Sequence, residues 1–487
     1  MGKLLAKYRD LSPMMRASFW FLACGVLQRG ISVITTPIFT RLLSTSEYGQ
    51  YNVFNSWLGI AQVIVTLNLC YGVYTQGLVK FEDRRAVFSS SLQGLSLTLT
   101  SAWTIVYLLT RDFWNGAMGL TTPQVLCMLS MCWTGTVFNF WASDQRVDLK
   151  YQKLVCVTLL TSLAKPILGI VLVLHASDKV TARIFGLAIV ELAAYSWMFF
   201  SQEARGKKFF DAGFWKYALA FNIPLVPHYL SQVVLQSADR IMILDMVGAS
   251  EAGIYGLAYS ISQIMTILNG ALSQTLEPWF YKKIKQRDLE SMGNVTYLSV
   301  GMIAAANLIV IAFAPEVVAI FAPPEYQEGI WVVPPVTMSV YFMVFLSIFG
   351  PFEFYFEKTK MIAAATVVGA AMNIILNLLL IPRFGYIAAG YTTLVCYILF
   401  ALFHFLFMSK ISRDNFNGRT PYNWKVFASM SAAFVLLGFG IMATYPVPVL
   451  RYGILVAALI TAIIKRKWIA EQVRMILSLR KTRKEEG

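Results

Sequence analysis

The chain has 487 residues, 57 % of them hydrophobic and only 14 % charged, with a formal net charge of +15 and a mean hydropathy of +0.60. Soluble domains carry about 25 % charged residues, so a water-soluble fold is excluded. Apolar runs of about 20 residues recur from end to end, the length that crosses a bilayer as a helix; barrel strands would alternate over about 10 residues and are excluded too.

The first 16 residues, MGKLLAKYRDLSPMMR, carry four basic groups. The run that follows, 18–40, has full membrane length and reads as a retained first span rather than a cleaved signal. Thirteen further spans are predicted near 51–76, 87–109, 122–142, 154–174, 184–202, 217–238, 252–275, 293–314, 330–350, 361–381, 386–408, 425–445 and 448–464. Lys165-Pro166 interrupts the fifth, and the last is short and opens with Arg451. With the N-terminus inside, 31 of the 41 Lys and Arg fall in inner segments, and the other ten are shared between the outer turns and the spans. Positive charge stays cytoplasmic in short loops, so this alternation supports fourteen crossings with both termini inside. The net charge is thus a topology signal spread over many segments, and nucleic acid is not a predicted partner.

The phrase S-E-x-G-x-Y occurs at 46–51 and again at 250–255, in the outer turns before the second and eighth spans. Six spans separate the copies. Because six is even, the two units share an orientation and form a parallel repeat. Gln28 aligns with Gln232 at the same offset. The predicted fold is an all-α polytopic membrane protein with two six-helix lobes, 1–203 and 204–409, an extra helix pair at 410–464, and a basic cytoplasmic tail at 465–487. The tail reads as either a basic amphipathic helix on anionic lipid or a solvated orientation signal. In the repeated phrase, Ser46 and Ser250 are placed to cap the next helix, and Glu47 and Glu251 to meet its positive end.

The six cysteines lie in apolar runs without C-x-x-C pairs, so no disulfide, metal or cofactor is predicted. Ionisable groups inside spans are costly and mark pathways. Arg29 lies in the middle of the first span, Lys165 in the fifth, Glu191 in the sixth, and Asp239 and Arg240 at the end of the seventh. His228 follows Pro224 and Pro227, where a broken helix frees backbone carbonyls. Pro37 predicts a kink in the first span.

The stretches TTPIFTRLLSTSEYGQYNVF (35–54), ADRIMILDMVGASEAGIYGLAYSISQI (238–264) and IPRFGYIAAGYTTLVCYILF (381–400) resemble the Wzx-type polysaccharide flippases, which carry O-antigen and related glycan repeat units. These belong to the multidrug/oligosaccharidyl-lipid/polysaccharide exporter superfamily. The resemblance runs from the first to the twelfth span. It implies a bacterial inner-membrane transporter that moves an undecaprenyl-pyrophosphate-linked oligosaccharide outward by alternating access, in a pathway whose polymerase and chain-length proteins are candidate partners. A pyrophosphate crossing hydrocarbon calls for fixed cations in a wet cavity, and arginine grips phosphate oxygens in pairs. On that reading Arg29, Lys165 and Arg240 form a cationic cavity. Asp239, Glu191 and His228 are candidates for coupling to protons or sodium, and a carboxylate such as Asp239 or Glu191 is a candidate counter-ion for Arg29. Asn222, Asn269 and Gln263 either contact sugars or bridge helices. The loops at 144–153 and 357–360 match in position and are candidate cytoplasmic gate contacts.

Rival readings are a lipid II flippase and a cation-coupled drug antiporter of the same superfamily. The antiporters lean on intramembrane acids in the first lobe, whereas the first span here carries Arg29. A membrane-embedded glycan-modifying enzyme is disfavoured, because the outer turns are short and no acid–base pair or phosphate-binding lysine loop is present.

Overall fold

A computed structural model describes residues 13–478, and every regular element in them is helical. In hydrocarbon each backbone N–H and C=O must be paired within its own segment, and the helix achieves this. The first compact unit spans Met1–Ile241 and the second Met242–Gly487. This packing boundary falls inside a helix.

The first unit holds α1 (Pro13–Leu42), α2 (Thr45–Thr66), α3 (Val73–Lys80), α4 (Arg85–Leu109), α5 (Arg111–Met118), α6 (Thr122–Val147), α7 (Tyr151–His175), α8 (Lys179–Gly206), α9 (Ala212–Asn222) and most of α10 (Val226–Met246). The second continues with α11 (Ala249–Ser262), α12 (Met265–Gln286), α13 (Glu290–Ala312), α14 (Ala314–Phe321), α15 (Val333–Tyr355), α16 (Thr359–Phe384), α17 (Ile387–Asn415), α18 (Trp424–Ala443), α19 (Pro448–Ile464) and α20 (Arg466–Ser478). Eleven helices among the described residues are long and apolar enough to cross a membrane. The pair Pro448–Ile464 and Arg466–Gln472, bent by 69°, makes up to twelve. The expected second and eighth spans form helices that fall short of that test. Each is also divided, α2 from α3 by the turn at 67–72 and α11 from α12 at Gln263 and Ile264.

Local chemistry explains several departures from expectation. The first copy of the repeated phrase is capped by Ser44, not Ser46: its hydroxyl accepts from Glu47 N at 3.2 Å, and Glu47 Oε2 accepts from Ser44 N at 2.7 Å. This S-x-x-E box is two residues earlier than predicted. In the second copy Gly248 holds the cap position with φ 154° and no side-chain cap, and Ser250 lies within the first turn. A residue with a side chain there would place its Cβ 2.6 Å from Glu251 Oε2. Lys165-Pro166 does not interrupt the fifth span, because α7 runs unbroken through it. Pro166 removes only the bond to the Ser162 carbonyl, and flanking turns hold the helix. Pro37 likewise sits within continuous α1. The predicted break before His228 is present as a 3₁₀ turn at Ile223–Leu225.

Small residues let two helices of the first unit approach closely. A Cβ on Gly186 of α8 would lie 2.7 Å from Gly169 Cα of α7. Two glycines therefore let these antiparallel helices touch along their backbones. That contact places polar side chains of α7 and α8 within reach of each other.

Candidate functional site

On the α7–α8 face, Lys165 Nζ lies 2.8 Å from Glu191 Oε1. The other carboxylate oxygen, Oε2, accepts from Thr134 Oγ1 of α6 at 2.9 Å. Lys165 also stands 5.6 Å from the Tyr195 ring centroid, and the Tyr195 hydroxyl donates to Thr161 Oγ1 at 3.2 Å. Three helices are thereby tied through one ion pair whose side chains are 24 % and 11 % exposed. Lys165 and Glu191, predicted for separate roles, neutralise each other. Lys165 is therefore not a free cation in this structure.

Arg29 is exposed on α1 and makes no hydrogen bond or ion pair among the described residues. Glu191, a candidate counter-ion for it, is engaged with Lys165. Arg240 of α10 donates through Nη1 to Ser56 Oγ of α2 at 3.4 Å, and its neighbour Asp239 is 1 % exposed. His228 is half-buried, and its Nδ1 has no partner among the described residues. Burial holds the amide of Asn222 against the Leu67 carbonyl at 2.8 Å and that of Asn269 against the Val340 carbonyl at 2.9 Å, each with its Oδ1 unpartnered. These two bridge backbone within their own units. Gln263 is partly buried at the α11–α12 break, and its carbonyl accepts from Thr266.

Three polar groupings were not singled out from sequence. Arg183 of α8 is 9 % exposed, and its guanidinium carbon lies 3.8 Å from the Phe39 ring centroid and 3.4 Å from that of Tyr51. A planar cation between two ring faces is a favourable stack. Tyr51 closes the first S-E-x-G-x-Y phrase, so that phrase has a partner on α8. At the other end of α8, Gln202 Nε2 donates to Asp144 Oδ2 of α6 at 2.6 Å, and the Tyr74 hydroxyl lies 3.2 Å from Asp144 Oδ1. In the second unit Glu353 of α15 pairs with His404 of α17, Oε1 to Nδ1, at 2.7 Å, and both are fully buried. Each unit thus sets a buried carboxylate near the end of its fourth predicted span against a polar partner on its sixth. Lone ionisable groups in apolar runs were the available signal.

A family model described as "Polysaccharide biosynthesis protein" matches residues 14–284, more than half of the chain. The chain belongs to the polysaccharide biosynthesis protein family. It is 19 % identical over 381 residues to "Lsg locus putative protein 1" of Haemophilus influenzae, covering 74 % of this chain and 90 % of that one. It is 23 % identical over 199 residues to "Probable low-salt glycan biosynthesis flippase Agl15" of Haloferax volcanii, covering 39 % of this chain and 41 % of the relative. Among solved structures, the lipid II flippase MurJ in an inward closed conformation superposes with a TM-score of 0.67 at 14 % identity, covering 92 % of this chain and 99 % of that one. An inward-facing multidrug MATE transporter of the MOP superfamily gives 0.59 at 14 % identity, over 80 % and 96 %. At such identity these two likenesses concern the fold alone. This member of the polysaccharide biosynthesis protein family is an all-helical, multi-pass membrane protein whose fold is that of MurJ and the MATE transporters.

Proposed function

We propose that the protein translocates an undecaprenyl-pyrophosphate-linked oligosaccharide repeat unit from the cytoplasmic to the outer leaflet of a bacterial inner membrane, by alternating access across fourteen spans. O-antigen, capsule or exopolysaccharide synthesis is the pathway class, with both termini cytoplasmic and proton or sodium coupling. The observation that carries the charge preference is Arg29, an arginine in the middle of a predicted span with no carboxylate against it among the described residues. An uncompensated cation at such depth is retained where it meets an anion. Arg29 and Arg240 are the substrate cations on this reading, and Lys165 joins them only when its pair with Glu191 opens. Asp239, Glu191 and His228 are the coupling candidates. Asn222, Asn269 and Gln263 contact sugars only if their helices part. Lobes of 1–203 and 204–409 describe the repeat, and 410–464 the added pair.

Surface glycan in a strain deleted for this gene tests the reading. Native protein restores it. Arg29→Ala at equal protein level does not, and Arg29→Lys restores it in part. Full restoration by Arg29→Ala and by Arg240→Ala would remove the cationic path.

A further inference from the structure

One recess of the second unit does not belong to any polar group described above. It is a groove of about 740 Å³ between α15, α17 and α18. Its floor is aromatic, with Phe342, Phe345 and Phe349 on one stripe of α15 and Phe427 facing from α18. Along α17 it runs from Ile398 to Asp414. Those 16 steps at about 1.5 Å make a trough roughly 24 Å long.

The length and the polarity of this trough both point to one occupant. A single leaflet with its headgroup layer is about 20–22 Å deep, half of a bilayer. The Ile398 end is apolar. The other end carries Lys410, Arg413 and the exposed indole of Trp424. Neither Lys410 nor Arg413 has an ion-pair partner among the described residues, although Asp414 also lines that end. Arg419 and Lys425 are exposed in the adjoining segment and add positive charge. Tryptophan at the rim is the side chain that anchors at headgroup level. A groove of this kind in a bilayer is filled by hydrocarbon, and paired cations at its mouth select an anionic headgroup.

We propose that this groove is a binding site for an anionic phospholipid of the cytoplasmic leaflet, with the acyl chain on the phenylalanine stripe and the phosphate at Lys410 and Arg413. The leaflet assignment rests on the orientation proposed above; the site itself does not rest on the substrate. One acyl chain matches the trough, whereas a polyprenyl chain outruns it.

Native mass spectrometry of the full chain, taken from nanodiscs of equal phosphatidylglycerol and phosphatidylcholine, tests the site. The native chain is expected to retain phosphatidylglycerol by about tenfold over phosphatidylcholine, the selectivity of two cations partly offset by Asp414. Lys410→Glu with Arg413→Glu should erase the preference, and Lys410→Arg with Arg413→Lys should keep it. Ala428→Trp fills the groove without touching the cations and should reduce retention of both lipids. Gel filtration confirms that each variant is folded. Equal retention of the two lipids by the native chain, or the same preference in the Glu variant, would overturn the proposal. So would retention of a polyprenyl phosphate in place of phosphatidylglycerol, or a native dimer that Ala428→Trp converts to monomer.

Discussion

Removing either partner of the Lys165–Glu191 pair should destabilise the first unit, and removing both should not. Taking one partner from a buried pair costs about 3–5 kcal/mol, because the other charge is left uncompensated, while apolar replacement of both is close to neutral. Lys165 keeps 24 % exposure and Glu191 11 %, so the pair is not fully enclosed and the single losses shrink to about 2–3 kcal/mol. Lys165→Met leaves Glu191 with only the Thr134 hydroxyl. Glu191→Leu leaves Lys165 over the Tyr195 ring. Thermal unfolding of purified protein, followed by tryptophan fluorescence at one scan rate, should show each single variant lowered by about 4–10 °C. The double variant should lie within about 1 kcal/mol of native, a non-additivity expected only of residues in contact. Additive losses in the double variant would refute the pairing. Glycan export adds a second readout: if Lys165 also meets substrate, the double variant regains stability without regaining export.

Arg183→Ala should cost about 2–4 kcal/mol, since two desolvated ring stacks are lost together, and Arg183→Lys should recover little because an ammonium cannot lie flat between Phe39 and Tyr51; unfolding midpoints decide this. Gly186→Ala should separate α7 from α8 and cost about 1–3 kcal/mol, a close-packing penalty that Gly116→Ala, with open space at its Cβ, does not incur. In the loop after α6, Asp148 is held below the usual carboxylate range by Lys150 at 2.8 Å and Arg85 at 2.7 Å. Its folded-state pKa is depressed, so its stabilisation is complete above the unfolded value of about 3.9 and fades as pH falls toward the lower folded value. The stability gap between native protein and Asp148→Asn should therefore be constant near neutrality and close in acid; a gap that widens in acid would contradict the assignment.

Most of the helices were legible because the bilayer leaves the chain few choices. Apolar length and the sign of loop charges are local quantities, read along the chain. Contacts are not. Lys165 and Glu191 stand 26 residues apart, and nothing in either run names the other; the Gly169–Gly186 approach that brings them together appears only once α7 and α8 are laid side by side. Glu353 and His404 are separated by 51 residues and suffer the same obscurity. Arg183 is equally silent in the sequence, because the rings that bury it come from α1 and α2, more than 130 residues away. The repeated phrase was recognised as a marker, but its cap was set two residues late because Ser44 and Ser46 offer the same hydroxyl. Proline was overweighted at Lys165-Pro166, where a single lost backbone bond does not end a helix held by its neighbours.

The central claim is transport of a lipid-linked anionic glycan. Purified protein in proteoliposomes, loaded with an undecaprenyl-pyrophosphate-linked oligosaccharide and probed from outside by a lectin or a glycan-cleaving enzyme, measures it directly. The account predicts protein-dependent movement of the glycan between leaflets, slowed about tenfold or more by Arg29→Ala, the loss of one charge-assisted contact. Absence of movement with native protein in either direction under imposed proton and sodium gradients, or equal rates for native and Arg29→Ala, would contradict it.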